Sequence, residues 1–460
     1  MNKTKAPFLF LIAACFSLIA TLMFGILAVL QYLKPEFLKS VLPFSSIRPM
    51  HVTAAVSWIV LAATGGIYYY LQSEMRLKNA RLPLLHFLIF AGTGIAIYVC
   101  YARGIFGGKE YLEIPPVLII PILMGWLLFA YNVIASLIKQ LDRRPVYYWM
   151  WMTGGLFMLY HLSEAYIWLA PGFREKFIAN TVLQWKAGGS FVGSWNMLVY
   201  GTATFIMAKI TPGENIGTDR KSYFFYFLGL SNLMFGWAHH VYLIPFAPWI
   251  RYVAYVISMS EWILFFNIIY TWRKSLAEKN RFKDLMAVRF LAITDRWILG
   301  NLFLALLISI PAVHYFTHGT HITVAHSMGT TIGINTTILL ASLSFIAQRE
   351  DYSKRFNTTR RGLKLFNGML ILFLAALLCA GVSRSAWMHS LQPAAFGAMQ
   401  EKLYIVYLFL LTAGLGLAVS VCMMLFPLLH TLIKSFLRKE DAVLASPVKQ
   451  ETAKEAELRA

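Results

Sequence analysis

The densest concentration of ligand-type side chains is the run Thr317–Gly329, which holds His318, His321, His326 and Met328. On a helix, His326 and Met328 leave the axis about 200° apart, so one helix can offer each to a different metal centre. His318 and His321 read equally well as helix caps or interfacial groups. A second signal is the adjacent pair His239–His240, which has no charged neighbour in Trp237–Tyr242; two imidazoles in such a setting are metal-ligand chemistry. His51 opens a stretch with Ala54, Ala55, Ala62, Ala63, Gly65 and Gly66. Those small residues leave room for a flat cofactor against the backbone, although alone the histidine reads as readily as an interfacial one. Ionisable side chains inside apolar sequence are costly and mark function. His161 and Glu164 share one helical face and either satisfy one another or serve a buried site. Glu261 is either protonated and hydrogen-bonded or part of a proton relay. After a glycine-rich turn, Glu110 and Glu113 can ligate Ca²⁺, line a proton path, or sit in a plain solvated loop.

The elements that carry these residues are membrane helices. Of 460 residues, 58% are hydrophobic and 13% charged, a balance that water-soluble domains do not have. The 13 Trp and 23 Tyr suit interfacial belts. A net charge of +20 invites a nucleic-acid reading, but the cations fall in loops between apolar spans, which is an orientation signal. Cys15, Cys100, Cys379 and Cys422 all lie inside apolar spans, and no C-x-x-C-H motif for covalent haem attachment occurs. The run from Pro7 to Leu33 is too long for a signal h-region and reads as a retained helix. Twelve spans are expected, at 7–33, 50–73, 83–102, 115–138, 147–170, 185–210, 222–245, 248–272, 291–316, 319–347, 363–383 and 400–432. About thirty of the 41 lysines and arginines then fall inside if both termini are cytoplasmic. Residues 1–440 form one all-α polytopic domain, and 441–460 a polar cytoplasmic tail.

Taken jointly, Arg48-x-x-His51, Lys109–Glu113 followed by Tyr131–Val133, Lys209–Thr211, His239–His240, Glu261 and Thr317–Thr320 before His326 resemble the haem–copper oxidase superfamily. Within it, the large subunit of cytochrome-c-type nitric oxide reductase is the nearest likeness, over nearly the whole chain. The resemblance implies a twelve-helix bundle in the bacterial cytoplasmic (inner) membrane. It implies two b-type haems, one low-spin and one high-spin, with a non-haem iron beside the latter. Electrons would come from a c-type cytochrome subunit, and NO would be reduced to N₂O. Carried over, His51 is an axial ligand of the low-spin haem and His326 the proximal ligand of the high-spin haem. His239 and His240 ligate the non-haem metal, Glu110 helps bind calcium, and Glu113 with Glu261 serves proton delivery.

Two departures matter. Where the family has His-x-His, this chain reads His326-Ser327-Met328: either Met328 is the second low-spin ligand, a thioether that raises the potential, or it merely packs and the low-spin haem is five-coordinate or absent. Where the family's sixth helix supplies a histidine and a glutamate to the non-haem iron, Gly188 and Val192 stand instead. Asn196, Tyr200, His161 and Glu164 are the polar groups left to refill the site. Two histidines alone hold iron poorly, so three functions remain open. One is an enzyme reducing NO or a related small oxidant. Another is a haem electron-transfer or gas-binding subunit, beside an active homologous large subunit, that has lost its second metal. The third is a copper-using oxygen reductase. Membrane lipid is the remaining partner, and nucleic acid is excluded.

Overall fold

A computed structural model of the 460-residue chain describes all residues except 1–3, 139–143, 213–214, 241–243, 279–284, 352–355, 393 and 439–460. The expected tail at 441–460 therefore lies outside the described residues. The longer helices are α1 (Ala6–Leu33), α2 (Phe44–Glu74), α3 (Leu82–Ala102), α4 (Pro116–Leu137), α5 (Val146–Glu164) and α6 (Phe177–Ile210). They continue as α7 (Arg220–Phe235), α8 (Pro248–Glu278), α9 (Met286–Ile308), α10 (His321–Glu350), α11 (Asn357–Met388) and α12 (Tyr404–Leu437). Pro171–Arg174, Pro311–Thr317 and Phe396–Lys402 add short helices.

The starts of these helices are written in the sequence. Proline opens α1, α3, α4 and α8, where its missing N–H costs nothing and its φ is already helical. Asp219 caps α7 by accepting from the Ser222 amide at 3.1 Å, and the Thr320 hydroxyl caps α10 by accepting from the Ile322 amide at 3.2 Å.

Among the described residues, nine helices are long and apolar enough to cross a membrane: all of these except α5, α6 and α7. The chain is a multi-pass membrane protein. The expected count of twelve exceeds this nine because α5 ends at Glu164 and α7 at Phe235, short of 170 and 245, while α6 is diluted by polar and small residues. The apolar run past 235 does not stay α-helical; a 3₁₀ turn, Gly236–His240, replaces it.

Neighbours in sequence pack as pairs, α1 on α2, α3 on α4, α5 on α6, α11 on α12. α2, α6 and α10 meet in the middle. α10 is the hub, with 78% of its apolar stretch buried against 22% for α3. Between Gly329 and Thr336 it loosens into a π-helix, and the Thr336 hydroxyl donates five residues back to the Thr331 carbonyl at 2.8 Å. Such π segments concentrate at functional positions; this one begins directly after Met328.

Candidate haem site

α2 and α10 run parallel, and three contacts fix their register. Trp58 Nε1 donates to Thr336 Oγ1 at 2.9 Å, the Tyr70 hydroxyl bonds the Ser342 hydroxyl at 2.7 Å, and the Tyr69 hydroxyl donates to Glu350 Oε1 at 2.7 Å. Carried back along both helices, this register puts His51 level with the segment that holds His326 and Met328.

His51 is oriented from α1. Its Nδ1 donates to the Thr21 carbonyl at 2.9 Å, which leaves the lone pair on Nε2. That is how ligating imidazoles are held, with the other nitrogen's proton given to a carbonyl. Gly25 lies against the ring, and a Cβ there would stand 3.1 Å from His51 Cε1, so any larger residue would push the imidazole out of place.

His326 and Met328 face apart. The His326 ring lies 5.9 Å from Trp262 of α8, and Asn301 of α9 holds its backbone by donating to the His326 carbonyl at 3.1 Å and the Thr330 hydroxyl at 2.7 Å. Met328 packs instead on the apolar group of Val29, Ala376, Leu377 and Tyr407 from α1, α11 and α12. Thus His51 and Met328 both border α1 at one level, while His326 looks toward α8. His51 with its lone pair on Nε2, Met328 and His326 are side chains of the types that ligate haem iron.

At the second-metal position α6 offers no ligand. A Cβ at Gly188 would meet nothing within 4 Å, and Val192 offers no donor. The His239 and His240 side chains lie outside the described residues. Among those described, no three His, Cys, Asp or Glu residues gather in a metal-binding cluster. His161 and Glu164 do not turn toward that position: His161 Nδ1 bonds Glu164 Oε2 at 2.9 Å, and the other Glu164 oxygen accepts from Lys186 of α6. His161 Nε2 remains buried without a hydrogen-bond partner among the described residues. No motif or spacing singles out Lys186.

Glu261 is 4% exposed, and its Oε2 accepts from Asn232 Nδ2 at 2.5 Å, while the Ser258 hydroxyl donates to Asn232 Oδ1 at 2.7 Å. The polar arrangement Ser258–Asn232–Glu261 therefore bridges α7 and α8. Asn232 lies 29 residues from Glu261, too far for any local spacing rule to link them.

The loop between α3 and α4 is built around Arg48. Its guanidinium pairs with Glu110 at 2.7 Å and Glu113 at 3.3 Å, and Lys109–Leu112 closes a tight turn with Tyr111 at φ 70°. A Cβ at Gly108 would fall 1.5 Å from the Leu112 carbonyl oxygen, so only glycine fits. Burial pushes the Glu113 carboxyl above its usual range, with Arg48 pulling the other way. The rings of His314 and His318 sit 4.8 Å apart, and burial lowers both; His314, with His318 adding to the effect, is held at about 4.

This architecture, an all-helical membrane bundle with histidines from α2 and α10 brought to one level, is that of the haem-bearing large chain of the haem–copper oxidases. The chain belongs to that family: residues 5–434 match the family described as cytochrome c and quinol oxidase polypeptide I, whose members bind haem. It is 23% identical over 350 residues to a curated nitric oxide reductase subunit from Stutzerimonas stutzeri, covering 72% of each chain. A haem–copper terminal oxidase dimer solved by cryo-EM shares the fold with a TM-score of 0.69 at 13% identity, over 95% of this chain and 85% of that one.

Proposed function

We propose that the chain is a haem-carrying large subunit of nitric-oxide-reductase type, a twelve-span protein of the bacterial inner membrane with both termini cytoplasmic. α5, α6 and α7 complete the twelve spans. It works beside a c-type cytochrome subunit that supplies electrons. Two b-type haems, when bound, would supply electron relay at the His51/Met328 position and a gas-binding iron at His326. The chain's own residues do the rest. Thr21 and Gly25 orient His51, Asn301 fixes the segment of His326, and Glu261, which accepts from Asn232, is the buried carboxyl for proton delivery. Glu113 offers a second proton-holding carboxyl at the outer face, and Glu110 beside it is the residue for calcium. His239 and His240 are the imidazoles available to a second metal.

The observation that carries this reading is the α2–α10 register, which brings His51 and Met328 to one level. A second reading has a specific observation behind it. Gly188 faces open space and Val192 is apolar, so the carboxylate and third imidazole that would hold a non-haem iron are gone. On that reading the chain binds NO or passes electrons without coupling two NO molecules. Metal analysis of the purified protein with NO turnover separates them. Stoichiometric non-haem metal and steady N₂O formation support the enzyme; haem alone, with NO bound and not consumed, supports the silent subunit. Protein that takes up no haem sinks both.

A further inference from the structure

At the opposite end of the bundle from His51, α8 and α9 border an open cleft of about 410 Å³ lined by Tyr270, Arg273, Lys274, Ala292 and Arg296. Three of its five lining residues are cationic. Arg273 is fixed: it pairs with Asp295 at 3.0 Å, donates to the Ala292 carbonyl at 3.3 Å, and lies 5.6 Å from the Tyr270 ring centroid. Among the described residues, neither Lys274 nor Arg296 has an acidic partner within ion-pair distance. Two exposed cations therefore border one cleft, and Asp295, ion-paired to Arg273 at 3.0 Å, also feels the charge of Arg296.

What rises from the cleft is apolar. On α8, Ile263 and Val256 lie two and four turns outward of Tyr270 and are 53% and 60% exposed. On α9, Leu299 and Phe303 follow Arg296 at helical spacing and are 53% and 68% exposed. A helix face that is apolar and uncovered in a membrane protein touches acyl chains. An aromatic and basic residues at the foot of such a face mark the level of the headgroups. The lysine and arginine count assigns this end to the cytoplasmic leaflet, where anionic lipids concentrate, and basic pockets between helices there bind their headgroups.

We propose that this cleft is a binding site for the phosphodiester headgroup of an anionic phospholipid. Lys274 and Arg296 contact the phosphate oxygens, Arg273 is the fixed wall, and the acyl chains run outward between α8 and α9 along Ile263 and Phe303. The ligand chemistry, a phosphate oxyanion, is shared with free phosphate; the exposed apolar faces above the cations favour the lipid.

The test uses the full-length protein, stripped of lipid in detergent and re-exposed to phosphatidylglycerol, to phosphatidylcholine, or to inorganic phosphate, with bound species counted by native mass spectrometry. The wild type should retain one phosphatidylglycerol more tightly than phosphatidylcholine. K274Q/R296Q should bind it about thirtyfold more weakly, since each surface charge is worth roughly fivefold. R296K should retain most of the affinity, and haem content should be unchanged throughout. If the double variant does not fold, the wild-type preference for phosphatidylglycerol over phosphatidylcholine, and its insensitivity to phosphate, still decide the matter. Equal retention of both lipids, undiminished binding by a folded double variant, or displacement of the lipid by millimolar phosphate would each overturn the proposal.

Discussion

Trp58 of α2 donates its indole proton to the Thr336 hydroxyl of α10 at 2.9 Å, across a sequence distance of 278 residues. Seven residues earlier on α2 stands His51, and seven earlier on α10 is Gly329, beside Met328. A single buried hydrogen bond thus indexes the two proposed ligands of one haem. If Met328 is that ligand, Met328→His replaces a thioether by an imidazole and lowers the haem's potential by something on the order of 100 mV, within the ~0.8 V range that axial ligands span. A redox titration with low-temperature spectra checks it; an unchanged potential and low-spin band would mean that Met328 only packs.

The emptied position on α6 predicts a gain of function. A Cβ at Gly188 meets nothing within 4 Å, so G188H/V192E should fold and acquire non-haem iron at close to one equivalent, by metal analysis, where the parent holds far less. Failure of a folded double variant to take up iron would show that the His239–His240 pair is not aimed at the same space.

The Lys186–Glu164–His161 cluster is a partly buried ion pair, with side chains 19% and 10% exposed for Lys186 and Glu164. Lys186→Met leaves the carboxylate with the imidazole alone and should cost about 3 kcal/mol, whereas K186M/E164L should recover most of that loss. Thermal unfolding of the purified protein separates the two cases; a single variant as stable as the parent contradicts the pairing.

Glu261 is held by the Asn232 amide. If it carries the proton for turnover, Glu261→Gln keeps the shape and should lower NO consumption by about 10²-fold, the usual scale for a proton-transfer group, with haem content and spectra unchanged. Equal loss of haem would mark a structural role instead.

The end of the bundle that carries His314 should be acid-sensitive in a defined window. His314 is held at about 4 by burial and by His318, below its ordinary 6.5, so the fold keeps it neutral. The unfolded chain takes up a proton first as pH falls, so His314 stabilises the fold fully above about 6.5 and loses that contribution between there and about 4. Unfolding measured from pH 7.5 to 4 should show the decline, and His314→Gln should flatten it.

Class and site were legible in the residues to different depths. Apolar run length and loop charge depend only on local composition, so the sequence alone established a polytopic helical membrane chain, and the resemblance carried jointly by several motifs, not any single spacing, pointed to His51, His326 and Met328. Local spacing could not say that α5 and α7 stop early, because termination of a helix depends on what the last turn meets. It could not choose between the two readings of His161 and Glu164 either, since Lys186 arrives from another helix. Nor could it link Asn232 to Glu261, or Arg48 to Glu110 and Glu113, across 29 and more positions. Those pairings came only from packing, which brings distant segments within hydrogen-bond reach in a medium where an unpaired polar group is too costly to leave.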